Sequence, residues 1–404
     1  MVGHPRVSGA LTQVSGRTGR WDSGRGAARA RLPSLEAEAY LNTGGAGPIP
    51  DLAADAMRAM VDAQAGRGRM SAAAVDAGRQ RQHALRAAIA GVLGRPHAEV
   101  AIAQSSTHAM NVVIWGCGLG AGDVIVTTNM EHPGLVVPLA MAAARVGAEL
   151  RVVDVGDGSG PLEDAIGHAC DARTRLVALS HVSWLTGAVL DVAGAARAAR
   201  SVGALTLVDG AQGAGAVPVD AAAWGIDAYA MPAQKWLLGP EGLGALWVNA
   251  DSMERIDVVV SGYETGEEHG WDGSLAMHPD ARRYEASTFP EILLAGWTAS
   301  LTWLAGLGWD RLHRSTAEAS AACRAALAEL PGVRLDAPSQ SESGLVAFSV
   351  PGHRPDDAAA FLAARGVIVR PLPEPGGLRA SCGFFTNAGD IERLTEGLAE
   401  LTAC

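Results

Sequence analysis

The chain has 404 residues, 48% of them hydrophobic and 19% charged, and a formal net charge of −11. This composition is typical of a compact globular protein with enough chain for one large or two medium domains. An acidic chain without a basic stripe is not expected to bind nucleic acid. No apolar run approaches the roughly 18 residues of a membrane span, so we expect no membrane partner either.

Neither the N-terminus nor the cysteines indicate an exported protein. Residues 1–33 are rich in arginine, glycine and serine and lack the apolar stretch of a signal peptide. We predict that they form a disordered tail, with a transit peptide as the alternative. The five cysteines are odd in number and have no CxxC spacing, so they indicate neither a disulfide framework nor a zinc site. We therefore expect a cytoplasmic protein without a metal ion.

Short β-rich runs alternate with alanine-rich helical stretches between about residues 100 and 250. The predicted strands are 124–128, 150–154, 176–180, 205–209, 226–229 and 243–248, and the predicted helices are 107–119, 132–146, 161–170 and 191–203. Alternation of this kind predicts an α/β domain with a mainly parallel sheet that is covered by helices on both faces.

The last third of the chain has a different pattern. Helical signals at 291–330 precede β-like runs at 345–350 and 366–370 and a final helix near 389–402. We predict a large domain over 56–290 and a smaller α+β domain over 291–404. Residues 261–288 have little periodicity and are rich in Gly, Glu, Asp and His, so we interpret them as an active-site loop, with a solvated surface loop as the alternative.

Lys235 is the only lysine in the chain. It lies in an apolar run, Tyr229–Pro240, where burial is expected to lower its pKa. A desolvated lysine amine can bind carbonyl carbons, which an arginine guanidinium cannot do because it stays protonated. The alternative is an ordinary surface lysine that remains in a chain whose composition has shifted from lysine to arginine.

Polar residues follow several of the predicted strands. Asp209 ends the strand 205–209 and precedes Gln212 by three residues, so it can hold a protonated ring nitrogen or simply cap a helix. Ser105–His108 opens a helical pattern and provides either a phosphate cradle or an ordinary N-cap. Glu131–His132 and Ser180–Trp184 end two further strands, and His132 can stack on a planar ring or cap a helix. Because strand ends meet at one edge of a parallel sheet, we expect these groups to lie together.

These residues, in this order, resemble those of class V pyridoxal-phosphate enzymes over about residues 38 to 402. The family includes cysteine desulfurases, cysteine/cystine C–S lyases and isopenicillin N epimerase-like proteins. The motifs that carry the resemblance are Tyr40–Pro48, Ser106–His108, Glu131–His132, Ser180–Ser183, Asp209–Gln212, Gln234–Trp236, Gly239–Gly242 and Leu378–Ser381. The resemblance implies pyridoxal phosphate as cofactor and the fold of a fold-type I PLP-transferase, with a seven-stranded sheet. It also implies a homodimer with shared active sites and an N-terminal segment, 34–55, that packs with the small domain and the active site.

The resemblance assigns roles to individual residues. Lys235 matches the lysine that forms a Schiff base with the cofactor, and Asp209 matches the partner of the ring nitrogen. Gln212 matches the residue near the cofactor's phenolic oxygen. Thr288 matches a threonine that reaches the phosphate from the neighbouring subunit, and Arg379 matches the arginine that holds the substrate carboxylate. The full expected cofactor set is Ser106, Thr107, His108, His132, Ser183, Asp209, Gln212, Gln234, Lys235 and Thr288. The expected substrate contacts are Asn42, Ala46, Trp184 and Arg379.

Three departures from the family pattern bear on the reaction. Gln234 stands where many relatives have a histidine, and Trp184 stands where many have an asparagine. The loop 369–378 lacks the nucleophilic cysteine of a desulfurase, and we expect Cys382 to be a packed thiol. We therefore expect a C–S lyase that acts on a cysteine S-conjugate by β-elimination. Its branch of the family includes lyases of sulfur-containing natural-product pathways such as lincosamide assembly, and we expect a place in such a pathway. The alternatives are decarboxylating oxidative deamination, transamination, epimerisation and, as a different class, a scaffold without cofactor.

Overall fold

The computed structural model describes residues 25–338, 341–373 and 376–403. Its α-helices are α1 (Asp51–Gly66), α2 (Ala72–Leu93), α3 (Ser106–Gly116), α4 (Pro133–Val146), α5 (Glu163–Ala169), α6 (Val192–Ser201), α7 (Ala221–Trp224), α8 (Glu291–Leu307), α9 (Trp309–Ala328), α10 (Pro355–Ala363) and α11 (Ala388–Ala403). Its strands are β1 (Ala39–Tyr40), β2 (Val100–Ala103), β3 (Val124–Thr128), β4 (Glu149–Val153), β5 (Thr174–Ser180), β6 (Leu205–Asp209), β7 (Ala228–Pro232), β8 (Gly244–Val248), β9 (Gly266–His269), β10 (Leu275–Met277), β11 (Arg334–Leu335), β12 (Leu345–Ser349), β13 (Val367–Ile368), β14 (Arg370–Pro371) and β15 (Leu378–Ser381).

The large domain is built on a seven-stranded sheet in the order β2-β8-β7-β6-β5-β3-β4. All neighbouring pairs are parallel except those of β8, which runs antiparallel to β7 and β2. The central strands are buried along their whole length, and separate apolar clusters cover the two faces of the sheet. Continuous apolar runs are what a sheet covered on both faces requires. The predicted α/β architecture with a mainly parallel, seven-stranded sheet is confirmed.

The small domain has a four-stranded antiparallel sheet in the order β11-β12-β15-β14. Its core includes Phe348 on β12, Leu362 on α10 and Leu394 and Leu398 on α11. The N-terminal strand β1 pairs with β13 in parallel, Ala39 opposite Val367, and so joins this domain. The chain therefore passes through the small domain before it enters the large one.

Helix α8 begins directly after the expected domain boundary at residue 290, but it packs with the large domain. Leu294, Trp297 and Leu301 are buried in the core that also contains β7 and β8. The core that defines the small domain begins with α9, through Ala319, Cys323 and Leu327. Sequence patterning identified α8 as a helix but could not tell which apolar core its buried face joins.

The prediction of a disordered tail over 1–33 is wrong for residues 25–33, and residues 1–24 lie outside the described residues. Residues 25–29 form a helical turn, and Ala28 and Leu32 are buried. Arg29 forms an ion pair with Asp390 at the start of α11, with Nη1 and Oδ2 2.7 Å apart. Arginine content suggested disorder here, but these side chains have acceptors in a segment more than 350 residues away along the chain.

Residues 261–288, predicted to be a loop, contain a short hairpin. Strands β9 and β10 pair antiparallel with an irregular register, and Trp271 at the tip is fully exposed. The segment is anchored by Glu285, which is buried and accepts hydrogen bonds from Arg86 and from the backbone N–H of Ile102. Because both strands of the hairpin are mostly exposed, their residues show no alternation of apolar and polar side chains, and the sequence predicts a loop.

No single helix in the described ranges is long and apolar enough to span a membrane. Helices α8 and α9 meet that test only when taken together, and they are bent by 84° relative to each other. In the same ranges no group of three or more His, Cys, Asp or Glu side chains is arranged to hold a metal ion.

Candidate active site

A small cavity lies at the carboxyl ends of β5, β6 and β7. Ser180 ends β5, Asp209 ends β6, and Lys235 follows β7 by three residues. The lining residues are His132, Ser180, Val182, Trp184, Asp209, Ala211, Gln212 and Lys235. Strand ends of this kind are where ligands bind in open α/β sheets.

A sharp loop fixes the backbone of Lys235. The N–H of Gly47 donates to the carbonyl oxygen of Gln234 at 2.6 Å, and a side chain at Gly47 would collide with the carbonyl of Lys235. Leu238 has a φ of 51°, a left-handed conformation that is rare for a leucine. Strained backbone of this type clusters at functional sites, and here it turns the chain directly after the lysine.

The Lys235 amine is adapted to react as a neutral base. Burial lowers its pKa to about 8, the charge of Asp209 acts in the opposite direction, and Arg379 and Arg370 lower the pKa further. The side chain is half-buried and lines the cavity. About a tenth of the amine is therefore unprotonated at pH 7, far more than for an ordinary lysine, and the unprotonated form is the one that binds carbonyl carbons.

Asp209 is buried at the end of β6. Its Oδ1 accepts a hydrogen bond from the N–H of Ala211 at 2.9 Å. Burial raises its pKa, and the charge of Lys235 and the bond from Ala211 lower it. A buried carboxylate is stable only beside cationic or donor groups, so it is suited to hold a protonated ring nitrogen.

The buried amide of Gln212 connects three parts of the chain. Its Nε2 donates to the carbonyl oxygen of Gly44 at 2.8 Å, and its Oε1 accepts from Trp236 Nε1 at 2.9 Å. The N-terminal segment, the turn after β6 and the lysine loop are thereby tied together at the cavity.

His132 caps a helix, as one interpretation of the sequence expects, and also lines the cavity, where stacking on a planar ring stays a prediction. Its Nδ1 accepts from the N–H of Gly134 at 2.9 Å at the start of α4. Its ring packs edge-on against Trp184, with centroids 4.8 Å apart. Burial, then Lys235, Arg379 and Arg370, lower its pKa to about 4, so the imidazole is neutral at physiological pH.

Arg379 lies on β15 and carries the small domain's contribution to the site. It is almost completely buried, and its Nη1 donates to the carbonyl oxygen of Trp184 at 2.7 Å. Burial, with a contribution from Arg370, lowers its pKa to about 9. A buried guanidinium needs an anionic partner, so this side chain is suited to bind a substrate carboxylate.

Several buried polar atoms around the cavity have no hydrogen-bond partner in the described part of the chain. They are Asn42 Oδ1, Thr43 Oγ1, Trp184 Nε1, Arg379 Nε and Ser381 Oγ. Asn42 and Ser381 are neighbours, since they form a β-bridge. Buried polar groups are nearly always paired in native proteins, so this set is expected to find its partners in a bound ligand.

The expected phosphate contacts lie at the start of α3. Ser105 caps the helix by accepting from the N–H of His108 at 3.0 Å, while the first-turn N–H groups of Ser106 and Thr107 have no acceptor within the helix. The Thr107 hydroxyl lies beside Gly134, whose added Cβ would be 2.9 Å from it. The starts of α3 and α4 are thus adjacent, and both helix dipoles favour an anion there.

The remaining predicted residues have other positions. Thr288 is exposed, does not line this cavity, and is hydrogen-bonded to the phenol of Tyr263. Gln234 contributes its carbonyl oxygen to Gly47, and the carbonyl of Ala46 accepts from Tyr40. Ser183, an expected cofactor contact, is not among the residues that line the cavity.

The structure assigns the cavity hydroxyl to Ser180 instead. The Ser183 hydroxyl donates to Met130 Sδ and accepts from the N–H groups of Leu185 and Thr186, so it stabilises a turn. Ser180 lines the cavity and donates to Glu131 Oε2 at 2.5 Å. Ser180 ends the buried strand β5 and Ser183 follows it, and the sequence alone does not tell which hydroxyl faces the cavity.

Glu131 was also missed as a site residue. It is buried directly before His132, and burial raises its pKa to about 7, with the charge of Asp209 acting in the same direction. A carboxylate after a buried strand was the available signal, but the motif drew attention to the histidine.

Cys382 lies in the core of the small domain, as expected. It is completely buried, and its pKa is raised well above the ordinary value by a hydrogen bond with the Cys323 thiol and by burial. Of the thiols that the structure describes, Cys117, Cys170, Cys323 and Cys382, none lines the cavity. Residues 374 and 375 of the cysteine-free loop 369–378, and Cys404, lie outside the described residues.

Comparison with known proteins gives one consistent picture. The family model "Aminotransferase class-V" matches residues 39–394. A probable cysteine desulfurase of Xylella fastidiosa (strain Temecula1 / ATCC 700964) is 31% identical over 334 residues, 79% of each chain. A variant of C-DES with glycine covalently linked to its PLP cofactor superposes with a TM-score of 0.88, at 29% identity, over 92% of this chain and 99% of that one. The cystine C–S lyase C-DES in complex with its product cysteine persulfide gives 0.87, at 29% identity, over 91% and 99%.

Proposed function

The chain belongs to the class-V aminotransferase family, and we propose that it is a pyridoxal-phosphate-dependent C–S lyase that acts on cysteine derivatives by β-elimination. One observation carries the proposal: the half-buried Lys235, whose pKa burial lowers, and a buried carboxylate, Asp209, share a cavity that none of the described thiols lines. The amine and carboxylate support pyridoxal-phosphate chemistry. The missing thiol argues against transfer of sulfur to the enzyme.

The residues at the cavity fit the cofactor. The amine of Lys235 would bind its aldehyde, Asp209 its ring nitrogen and the imidazole of His132 the face of the ring. Its phosphate would lie at the start of α3, against Ser106, Thr107 and His108. The chemistry that the bound cofactor supplies is withdrawal of electron density from the substrate's Cα.

The chain's own groups perform the remaining tasks. Arg379 binds the α-carboxylate and so orients the Cα–H bond toward Lys235. The neutral amine of Lys235 takes the Cα proton, a role that its lowered pKa suits. The C–S bond then breaks and the sulfur leaves as a thiolate. Overall, an S-substituted cysteine and water give pyruvate, ammonia and a thiol, or a persulfide when the substrate is a disulfide.

Supply of Thr288 by a second copy of the chain is part of the proposal. Thr288 and Tyr263 are exposed and hydrogen-bonded to each other. The buried ion pair between Arg86 and Glu285 holds the preceding segment in place. An ordered polar pair that faces outward is suited to complete the phosphate site of a partner subunit in a homodimer.

A cysteine desulfurase is the second candidate, because curated relatives such as the Xylella fastidiosa protein carry that name. Products distinguish the two. Purified holoenzyme is incubated with cysteine, cystine and S-alkyl cysteines, and pyruvate, alanine, free thiol and D-amino acid are measured. We expect pyruvate and thiol or persulfide in equal amounts. Alanine without pyruvate would establish a desulfurase. Loss of substrate with neither alanine nor pyruvate formed would reject β-elimination in favour of epimerisation, transamination or oxidative decarboxylation. The expected place in a natural-product pathway stays a prediction.

Replacing Cys382 with alanine should leave turnover within about twofold of wild type. The thiol is packed against Cys323 and away from the cavity, so the substitution removes a buried sulfur and costs about 1–2 kcal/mol of stability. Pyruvate release and thermal unfolding measure the two effects. Loss of turnover in a folded protein would place this thiol in the reaction.

Replacing Arg379 with lysine should lower kcat/KM about 10²-fold, mainly through KM. Lysine keeps the charge but loses the planar fork that binds a carboxylate through two hydrogen bonds. Comparing kcat/KM for an S-alkyl cysteine and for its α-amide checks this, because the variant should lose the preference of wild type for the free carboxylate. Exposed Arg334, on β11 of the same sheet, is the matched control for an Arg→Lys change.

A further inference from the structure

The orientation of the Gln212 amide follows from the chemistry of its two partners. The oxygen and nitrogen of an amide have nearly the same shape, so their positions are assigned from hydrogen bonding. Trp236 Nε1 can only donate, and the carbonyl of Gly44 can only accept. The atom that faces the indole is therefore Oε1, at 2.9 Å, and the atom that faces Gly44 is Nε2, at 2.8 Å.

These two bonds fix the side of the amide on which its oxygen and its nitrogen lie. A glutamine amide has two N–H donors and two acceptor lone pairs. One donor is held by Gly44 and one acceptor by Trp236. Gln212 lines the cavity beside Asp209 and Lys235, and the second hydrogen on Nε2 is the donor that it has left.

The indole of Trp236 is held firmly enough to act as an anchor. It is buried and packs with Val182, Val217 and Leu345, the last of these in the small domain. A side chain at Gly344 would collide with the same ring. Rotation of the indole away from Gln212 is therefore blocked by both domains.

Gly44 completes the arrangement from the other side. An added Cβ at this position would lie 2.9 Å from Gln212 Oε1 and 3.0 Å from Arg379 Nη2. Only a glycine lets the N-terminal segment approach this closely, so its carbonyl reaches Nε2 without displacing the arginine.

We propose that Trp236 is a positioning residue that fixes the Gln212 amide so that an N–H, rather than the carbonyl, faces the phenolic oxygen of pyridoxal phosphate. This inference rests on the proposed function, since it requires that cofactor. A donor beside the oxygen favours its deprotonated form, and a carbonyl in the same place favours the protonated one. Trp236 thus sets the protonation of the cofactor without touching it.

The test is the absorption spectrum of the holoenzyme, in which the phenolate form absorbs at longer wavelength than the phenol form. Trp236→Phe keeps an aromatic ring but removes the N–H. We expect the ratio of phenol to phenolate at fixed pH to rise about three- to tenfold, the range of one hydrogen bond. Replacement of Trp236 by benzothienylalanine, which keeps the ring size and has no N–H, should give the same shift even if the phenylalanine variant folds poorly.

A double-mutant cycle separates positioning from packing. In a Gln212→Met background, the change at Trp236 should alter the ratio by less than about 1.5-fold, because the amide on which it acts is gone. An unchanged spectrum in the single variants, or an equal shift in the Gln212→Met background, would overturn the proposal. Failure of cofactor binding would look different, because wild-type protein would then show no cofactor absorption at all. A reaction other than β-elimination would appear in the product assay and would leave the shift at Trp236 intact.

Discussion

Replacing Lys235 with arginine should lower turnover by at least about 10³-fold while the fold remains intact. Arginine keeps the charge and most of the length, but its guanidinium stays protonated and can neither bind an aldehyde nor take the Cα proton. Loss of a general base alone costs about 10²–10⁴-fold. Pyruvate release from an S-alkyl cysteine measures the loss, and thermal unfolding verifies the fold.

The chain offers a matched control for this variant. Arg58 is exposed on α1 and pairs only with its neighbour Asp55 in the described structure, so Arg58→Lys should be as active as wild type. The double variant with Lys235→Arg has one lysine, like wild type, but in the wrong place, and should be inactive. Activity above a tenth of wild type in either Lys235→Arg protein would contradict the assigned role.

Asp209→Asn should lower kcat about 10²–10³-fold, the range for loss of one preorganised electrostatic group. Asparagine is isosteric and its Oδ1 can still accept from the N–H of Ala211, so the turn after β6 should be preserved. The amide is neutral, however, and cannot keep a proton on the ring nitrogen of the cofactor. Asp209→Glu, which keeps the charge, should retain more activity than the amide.

The same variant makes a prediction about pH. The charge of Asp209 raises the pKa of Lys235, against the larger lowering by burial that leaves it at about 8. Without that charge, the pKa of the amine should fall, so the neutral form should persist to lower pH. Labelling of the single lysine in cofactor-free protein, followed against pH, reports this midpoint. A midpoint equal to or above that of wild type, or kcat within threefold of wild type, would argue against the pairing.

Much of the large domain was predictable because its signals are local. Apolar runs of five or so residues with alanine-rich stretches between them specify buried parallel strands and covering helices. The polar residues directly after those runs must then lie at one edge of the sheet. Lys235, Asp209 and His132 meet there for that reason.

Other parts of the site depend on contacts between distant segments. The position of Arg379 beside Trp184 and the pairing of β1 with β13 join residues that are nearly 200 or more than 300 apart. The bond between Trp236 and Gln212 requires the turn at Leu238 and the close approach of Gly44. Neither the turn nor the close approach follows from periodicity or composition. The hydrogen bonds that join the three segments are therefore visible only in the structure.

The order of residues 25–33 and the choice between Ser180 and Ser183 were hard to predict for similar physical reasons. Residues 25–33 looked disordered because arginine and glycine are abundant, yet Arg29 finds its carboxylate on α11. Ser183 is expected to contact the cofactor because of its place in a motif, and this stays a prediction, but the serine that lines the cavity is Ser180, three residues earlier. In both cases contacts with distant residues determine the structure, and these contacts cannot be predicted from the local sequence.

Covalent mapping of the cofactor tests the central claim most directly. Holoenzyme is reduced with borohydride, digested, and analysed by mass spectrometry for the reduced phosphopyridoxyl adduct. Because Lys235 is the only lysine, the adduct should appear in stoichiometric amount on the peptide that contains Gln234–Trp236 and be absent from Lys235→Arg. Protein that takes up pyridoxal phosphate without labelling this peptide, or that takes up none, would contradict the account.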